Sequence, residues 1–138
     1  MATRIVNVKV AYIRPQYQNL KEWMADPNNI YIACKGIVFI DGVRFPPQDS
    51  IFANPFKIGR HAEIRDGTRE EVINKYKDYI IAKIETGKIT HEEIENLKGK
   101  TLGCWCRNSD EEGPPCHGDV LLEILNVWED YKRELSNI

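Results

Sequence analysis

Short runs of β-branched and apolar residues alternate along this chain with longer segments whose apolar residues recur at helical spacing. That alternation constrains the fold more than any other feature, because strands separated by helical segments pair most readily as a parallel sheet with helices packed on it. Ile5 to Ile13 alternates apolar and polar residues over its first half and reads as a strand. Ile30 to Cys34 reads as a second strand, and Thr101 to Cys106, placed after the break at Gly99, as another. Between Ile37 and Phe45 two runs flank Asp41-Gly42, a pair that supplies the positive φ of a tight hairpin turn. A short helix is predicted over Asn19 to Asp26, around Leu20, Trp23 and Met24 and stopped by Pro27.

The longer helices announce their own starts. Thr68 and Glu71 stand three apart as a capping box, and Val72, Ile73, Tyr76, Ile80 and Ile84 follow at helical spacing up to Gly87. Thr90 and Glu93 repeat the device before Ile94 and Leu97. A last helix is predicted from about Cys116, with Leu121, Ile124, Leu125, Trp128, Tyr131 and Leu135 as its core stripe. With 138 residues, 42% of them hydrophobic, and no repeats or linker, residues 1–138 are expected to form one domain.

Charge and targeting signals exclude several function classes. A net charge of −2 provides no overall basic field for non-specific nucleic-acid binding, and Arg4, Lys9 and Arg14 read as a solvated face or a local basic patch. No apolar run is long enough for a membrane span, and the first residues lack a signal-peptide core. A cytoplasmic location is therefore expected, in which cysteines stay reduced and act as ligands, reactive thiols or core filler.

Three of the four cysteines fall in one stretch, Cys104-Trp105-Cys106 followed by Pro114-Pro115-Cys116-His117-Gly118-Asp119. Alternation puts Cys104 and Cys106 on one face of their strand and Trp105 on the other. Pro114 and Pro115 suit a helix entry, which leaves Cys116 and His117 in the first turn, where N–H groups and dipole favour negative charge. Three readings follow. Cys104, Cys106, Cys116 and His117 form the ligand set of a closed zinc site, without the usual paired spacing. Alternatively Cys116 is a thiol activated by the helix start, with His117 as acid/base and Asp119 as its orienting partner or a hydroxyl-binding carboxylate. The same cysteines also suit a packed core, as does Cys34 within its apolar run.

Asn54-Pro55-Phe56, the capped helix from Gly67 to Glu71, Leu102 to Cys106 and Cys116 to Leu121 together resemble a known family. It is the one catalogued as domain of unknown function 4326, small proteins of bacteria, phages and large DNA viruses. The resemblance runs from about Ile30 to Leu125 and implies a compact α/β domain in which the Asn-Pro-Phe loop lies near the Cys-His-Gly-Asp helix start. The family usually has Gly-Arg after the second strand and Trp-Gly before Asn-Pro-Phe, where this chain has Cys34-Lys35 and Phe52-Ala53. The absent arginine argues against a bidentate phosphate fork at that point.

The expectation is a small Rossmann-like α/β domain with a mostly parallel central sheet flanked by helices, its site at the carboxyl end of the Thr101–Cys106 strand. There Asn54, Pro55, Phe56, Lys57, Cys106 and Gly118 would bind a nucleotide-derived ligand or modified nucleobase, with Cys116, His117 and Asp119 as catalytic residues if chemistry occurs. Lys57, Arg60, His61 and Arg65 form a Gly-punctuated basic loop that matches no phosphate-binding fingerprint. His91 reads as solvated. The alternatives are a non-catalytic zinc-stabilised interaction module and a viral protein, acting in the host cytoplasm, that sequesters a signalling nucleotide. The stretch from Tyr12 to Tyr31, rich in Asn and Gln, is either part of a pocket or a contact between copies.

Overall fold

The first strand, β1 (Arg4–Asn7), is shorter than its alternating pattern predicts. Val8 N donates the last ladder bond to Cys104 O at 3.1 Å. The Asn7 side chain then accepts from Lys9 N at 2.9 Å, a local turn that competes with extended backbone. A one-turn helix, α1 (Val10–Ile13), follows where a continued strand is expected from sequence. The computed structural model describes residues 2–56, 69–105 and 116–136.

Four further elements complete the first half: α2 (Leu20–Ala25), β2 (Asn29–Tyr31), β3 (Val38–Ile40) and β4 (Val43–Phe45). Asn19 caps α2 by accepting from Glu22 N at 3.0 Å. The β3–β4 hairpin turns through Asp41 (φ 53°) and Gly42 (φ 78°), as the Asp-Gly pair predicts for a two-residue turn with both central φ positive. The second half contains α3 (Arg69–Glu85), α4 (His91–Glu95), β5 (Thr101–Cys104), α5 (His117–Asn126) and α6 (Trp128–Ser136). The predicted Thr68–Glu71 box rests on Thr68, which lies outside the described residues. The Thr90–Glu93 box forms, with Glu93 N to Thr90 Oγ1 at 3.1 Å and Thr90 N to Glu93 Oε1 at 2.9 Å.

The central sheet is small and parallel, in the order β1-β5-β2. Leu102 of β5 aligns with Ile5 on one side and Ile30 on the other. One face of the sheet, through Ile5, Leu102 and Cys104, packs on Tyr76, Ile80 and Ile84 of α3, on Val120, Leu121 and Ile124 of α5, and on Trp128. The other face packs on Ile13, Leu20 and Trp23, with the hairpin residues Val38, Ile40 and Phe45 against them. The result is a mixed α/β molecule whose parallel sheet is covered on both sides.

Two glycines set how closely the layers approach. A Cβ at Gly103 would collide with the Trp23 ring and Val8, and one at Gly118 would sit 2.5 Å from Ile5 Cδ1 and 3.1 Å from Ile32 Cδ1. The final helix differs from the single helix predicted from its stripe. It breaks at Val127 (φ −112°, ψ 12°), whose N–H is shared between Glu123 O and Ile124 O, both at 3.3 Å. Beyond the break, Trp128 is fully buried, and Tyr131 and Leu135 pack against the same core.

Candidate functional site

The carboxyl ends of β2 and β5 and the start of α5 meet at one end of the sheet. His117, in the first position of α5, is 7% exposed, and its Nε2 lies 2.6 Å from Ile32 O, just past β2. A carbonyl only accepts, so the geometry assigns the ring proton to Nε2. The imidazole also stands edge-on to Tyr76, 5.1 Å between centroids. Tyr76 in turn donates its hydroxyl to Phe52 O at 2.6 Å, and burial pushes its pKa well above the ordinary tyrosine value. Residues from β2, α3, α5 and the loop before Asn54 are therefore linked through one imidazole and one phenol.

Cys116, at the N-cap of α5, is 2% exposed, and Cys104 is completely buried. Their sulfurs are 3.7 Å apart, a thiol–thiol contact inside the core. Cys104 thus takes the core position that its strand register predicts. Burial of Cys116 differs from the ligand-facing thiol expected from sequence: the first turn of α5 packs down on Ile5 and Ile32 through Gly118, which turns the N-cap side chain inward. Asp119, half-buried at the third helical position, accepts from Cys116 N at 2.8 Å and so satisfies a donor of the helix start. Its carboxylate already answers part of the positive end of the dipole.

The residues after β4, 46–56, run beside the end of β2. Ser50 N donates to Ala33 O at 3.1 Å, Lys35 N to Asp49 Oδ1 at 2.8 Å, and the Cys34 thiol reaches Asn54 O at 4.0 Å. Asn54 folds its own turn, accepting Phe56 N on Oδ1 at 2.9 Å, so part of its amide serves structure. Pro55 is exposed and Phe56 half-buried, its ring edge-on to Tyr79 at 6.0 Å. Cys34 is half-buried at this edge rather than fully in the core.

Tyr31 and Trp105 form a polar contact that sequence reasoning missed. Trp105 Nε1 donates to Tyr31 Oη at 2.8 Å, and Tyr31 donates to Cys34 O at 2.6 Å. Burial, first among the causes, pushes the Tyr31 hydroxyl up to about 12. The only signal for this contact was the alternation that turned Trp105 away from Cys104. Of the residues predicted for the site, Asn54, Pro55, Phe56, Cys116, His117, Gly118 and Asp119 are placed at this end of the molecule. Lys57 and Cys106 lie outside the described residues, as do Arg60, His61 and Arg65. His91 is exposed but rests edge-on to Trp128 at 5.3 Å.

Among the described residues no group of three or more His, Cys, Asp or Glu side chains is disposed to hold a metal ion. No helix among them is long and apolar enough to cross a membrane.

The family described as "Domain of unknown function (DUF4326)" matches residues 16–127, which span every residue placed at this end of the sheet. An uncharacterised 12.4 kDa protein from the nrdA–td intergenic region of Enterobacteria phage T4 is 40% identical over 60 residues, 44% of this chain and 51% of that protein. The uncharacterised protein R718 of Acanthamoeba polyphaga mimivirus is 37% identical over 93 residues, 65% of this chain and 64% of its own length. The chain thus spans between about half and two thirds of these viral relatives. No solved structure matches. On the extent of the family match, from before α2 to the end of α5, the chain belongs to the DUF4326 family.

Proposed function

We propose that this protein binds a nucleotide-derived ligand or modified nucleobase where the carboxyl ends of β2 and β5 meet α5, in a Rossmann-like arrangement. The supporting observation is the His117–Ile32 bond, which pins the first turn of α5 onto the end of β2 beside the Asn54 loop. The site is also at the carboxyl ends of the parallel strands, with α5 on one face of the sheet and α1 and α2 on the other, the end at which open α/β sheets bind ligands. The nucleotide class rests on that analogy of architecture. Asn54 would bond the ligand's polar edge, Pro55 and Phe56 would flank its ring, and Asp119 would hold a hydroxyl or amine. Lys57, Cys106 and Gly118 complete the proposed lining.

Burial favours binding over turnover. Cys116 and His117 contact Cys104, Ile32 O and Tyr76, so they act first as positioning residues, and acid/base work by His117 would pass through Nδ1. A protein that sequesters a nucleotide needs nothing more from this site. The test is a native mass spectrum of the purified chain beside its denatured mass, followed by titration of the released compound. A retained compound of several hundred daltons, bound at least tenfold more weakly by Asn54→Ala or Phe56→Ala, supports the reading. Equal binding by those variants defeats it.

One observation favours a second reading, a zinc-stabilised interaction module. Two thiolates on a tetrahedral zinc, at about 2.3 Å each, stand about 3.8 Å apart, and Cys104 and Cys116 have their sulfurs at 3.7 Å. Cys106 and His117 would complete the ligand set. A mass excess of one zinc, lost with the fold on chelation, would establish this reading in place of the first.

A further inference from the structure

On the opposite face of the sheet from α5, the three parallel strands begin in a single polar row. Arg4, Thr101 and Asn29 are aligned across β1, β5 and β2. Their neighbours Ile5, Leu102 and Ile30 face the large core, so alternation turns this row toward α1 and α2. In the next row Gly103 has no side chain, and Trp23 lies over it. The row lines a cavity of about 280 Å³, together with Trp23, Tyr12, Gln16 and Tyr17. This volume is just below the roughly 300–1,000 Å³ typical of ligand pockets.

The polar groups here are held in place before any ligand arrives. Arg4 Nε reaches Thr101 Oγ1 at 3.5 Å, Asn29 Nδ2 donates to Trp23 O at 2.9 Å, and Tyr17 donates to Asp26 Oδ2 at 2.6 Å. Such anchoring lowers the ordering cost of binding. Tyr12, at the cavity's edge, keeps 54% of its surface exposed although it is a large aromatic on a packed element. Charge is distributed unevenly along the cavity. The Arg4 guanidinium is at one end of the row, and the Asp26 carboxylate, behind Tyr17, is near the other. Two inter-strand steps of about 4.8 Å separate Arg4 from Asn29, a span of about 10 Å.

We propose that this cavity is a second ligand site, separate from the Asn54 edge, for a planar aromatic ring that carries one carboxylate or phosphate. The anionic group sits at Arg4, away from Asp26. The ring lies among Tyr12, Tyr17 and Trp23, and its polar edge reaches Thr101 and Asn29. Arg4, Val6 and Tyr12 precede the region matched by the family, residues 16–127, so the site draws on this chain's own amino-terminal segment.

Calorimetric titration of the whole protein with orotate and, separately, uridine 5′-monophosphate tests this. Submillimolar binding of at least one probe is expected, and whichever binds shows whether the anion is a carboxylate or a phosphate. Arg4→Gln, at an exposed position, should weaken that binding by about tenfold or more, Tyr12→Ala should also weaken it, and the component that Arg4→Gln removes should persist in Asn54→Ala. Binding of neither probe overturns the proposal, and so does undiminished binding by Arg4→Gln. Loss of binding in Asn54→Ala with Arg4→Gln unaffected would also overturn it, by placing the probe at the other edge.

Discussion

Gly118 has no space for a side chain, because Ile5 and Ile32 occupy the position a Cβ would take. Gly118→Ala should therefore destabilise the protein by about 1–3 kcal/mol, read from the urea midpoint, as the first turn of α5 is forced off the sheet. Tyr31 makes a pH-dependent contribution at the same end. Its folded pKa, about 12, lies above the ordinary value of 10.0. The unfolded chain consequently loses this proton first as pH rises. The stabilisation is complete below pH 10 and is lost as pH climbs through about 12. Alkaline titration of thermal stability should show that decline, and Tyr31→Phe should make it shallower. The pairing of Tyr31 with Trp105 was not legible in sequence, since the two are 74 residues apart and no local pattern relates them.

Among elements, those with self-contained start signals were the most readable. Thr90 and Glu93 form their box as written, and Thr90→Ala should cost about 1 kcal/mol, measurable by chemical denaturation, because the Glu93 N–H loses its acceptor. The hairpin was equally legible, as Asp-Gly answers a local backbone requirement. Other elements depended on distant partners. The pattern from Ile5 to Ile13 continues past Asn7, but β5 offers its last ladder acceptor to Val8 through Cys104 O, and the Asn7 side chain then turns the chain. The apolar stripe from Leu121 to Leu135 says nothing of the break at Val127, since both halves keep the spacing of one helix.

At the scale of the whole molecule, the core on the α3–α5 side holds the two halves of the chain together, and Trp128 is its largest fully buried side chain. Trp128→Ala should cost about 3–5 kcal/mol and lower the thermal midpoint accordingly. The opposite face has less to bury and keeps a cavity between Arg4 and Trp23. The Asn- and Gln-rich stretch after Tyr12 lines that cavity, a placement that composition alone left open.

The sequence by itself determined the α/β class, the Thr90–Glu93 cap, the hairpin turn, the family and the end of the sheet where the Cys-His stretch would gather. Each of these follows from local chemistry: periodicity, capping side chains, the φ preferences of Asp-Gly, and strand alternation that set Cys104 against Trp105. Only the tertiary structure decided the strand order β1-β5-β2 and that Cys116 turns inward against Cys104. It also decided that His117 is tied to a carbonyl 85 residues away. Strand order and side-chain burial are set by which surfaces meet across the core, and no local pattern encodes a meeting between segments so far apart.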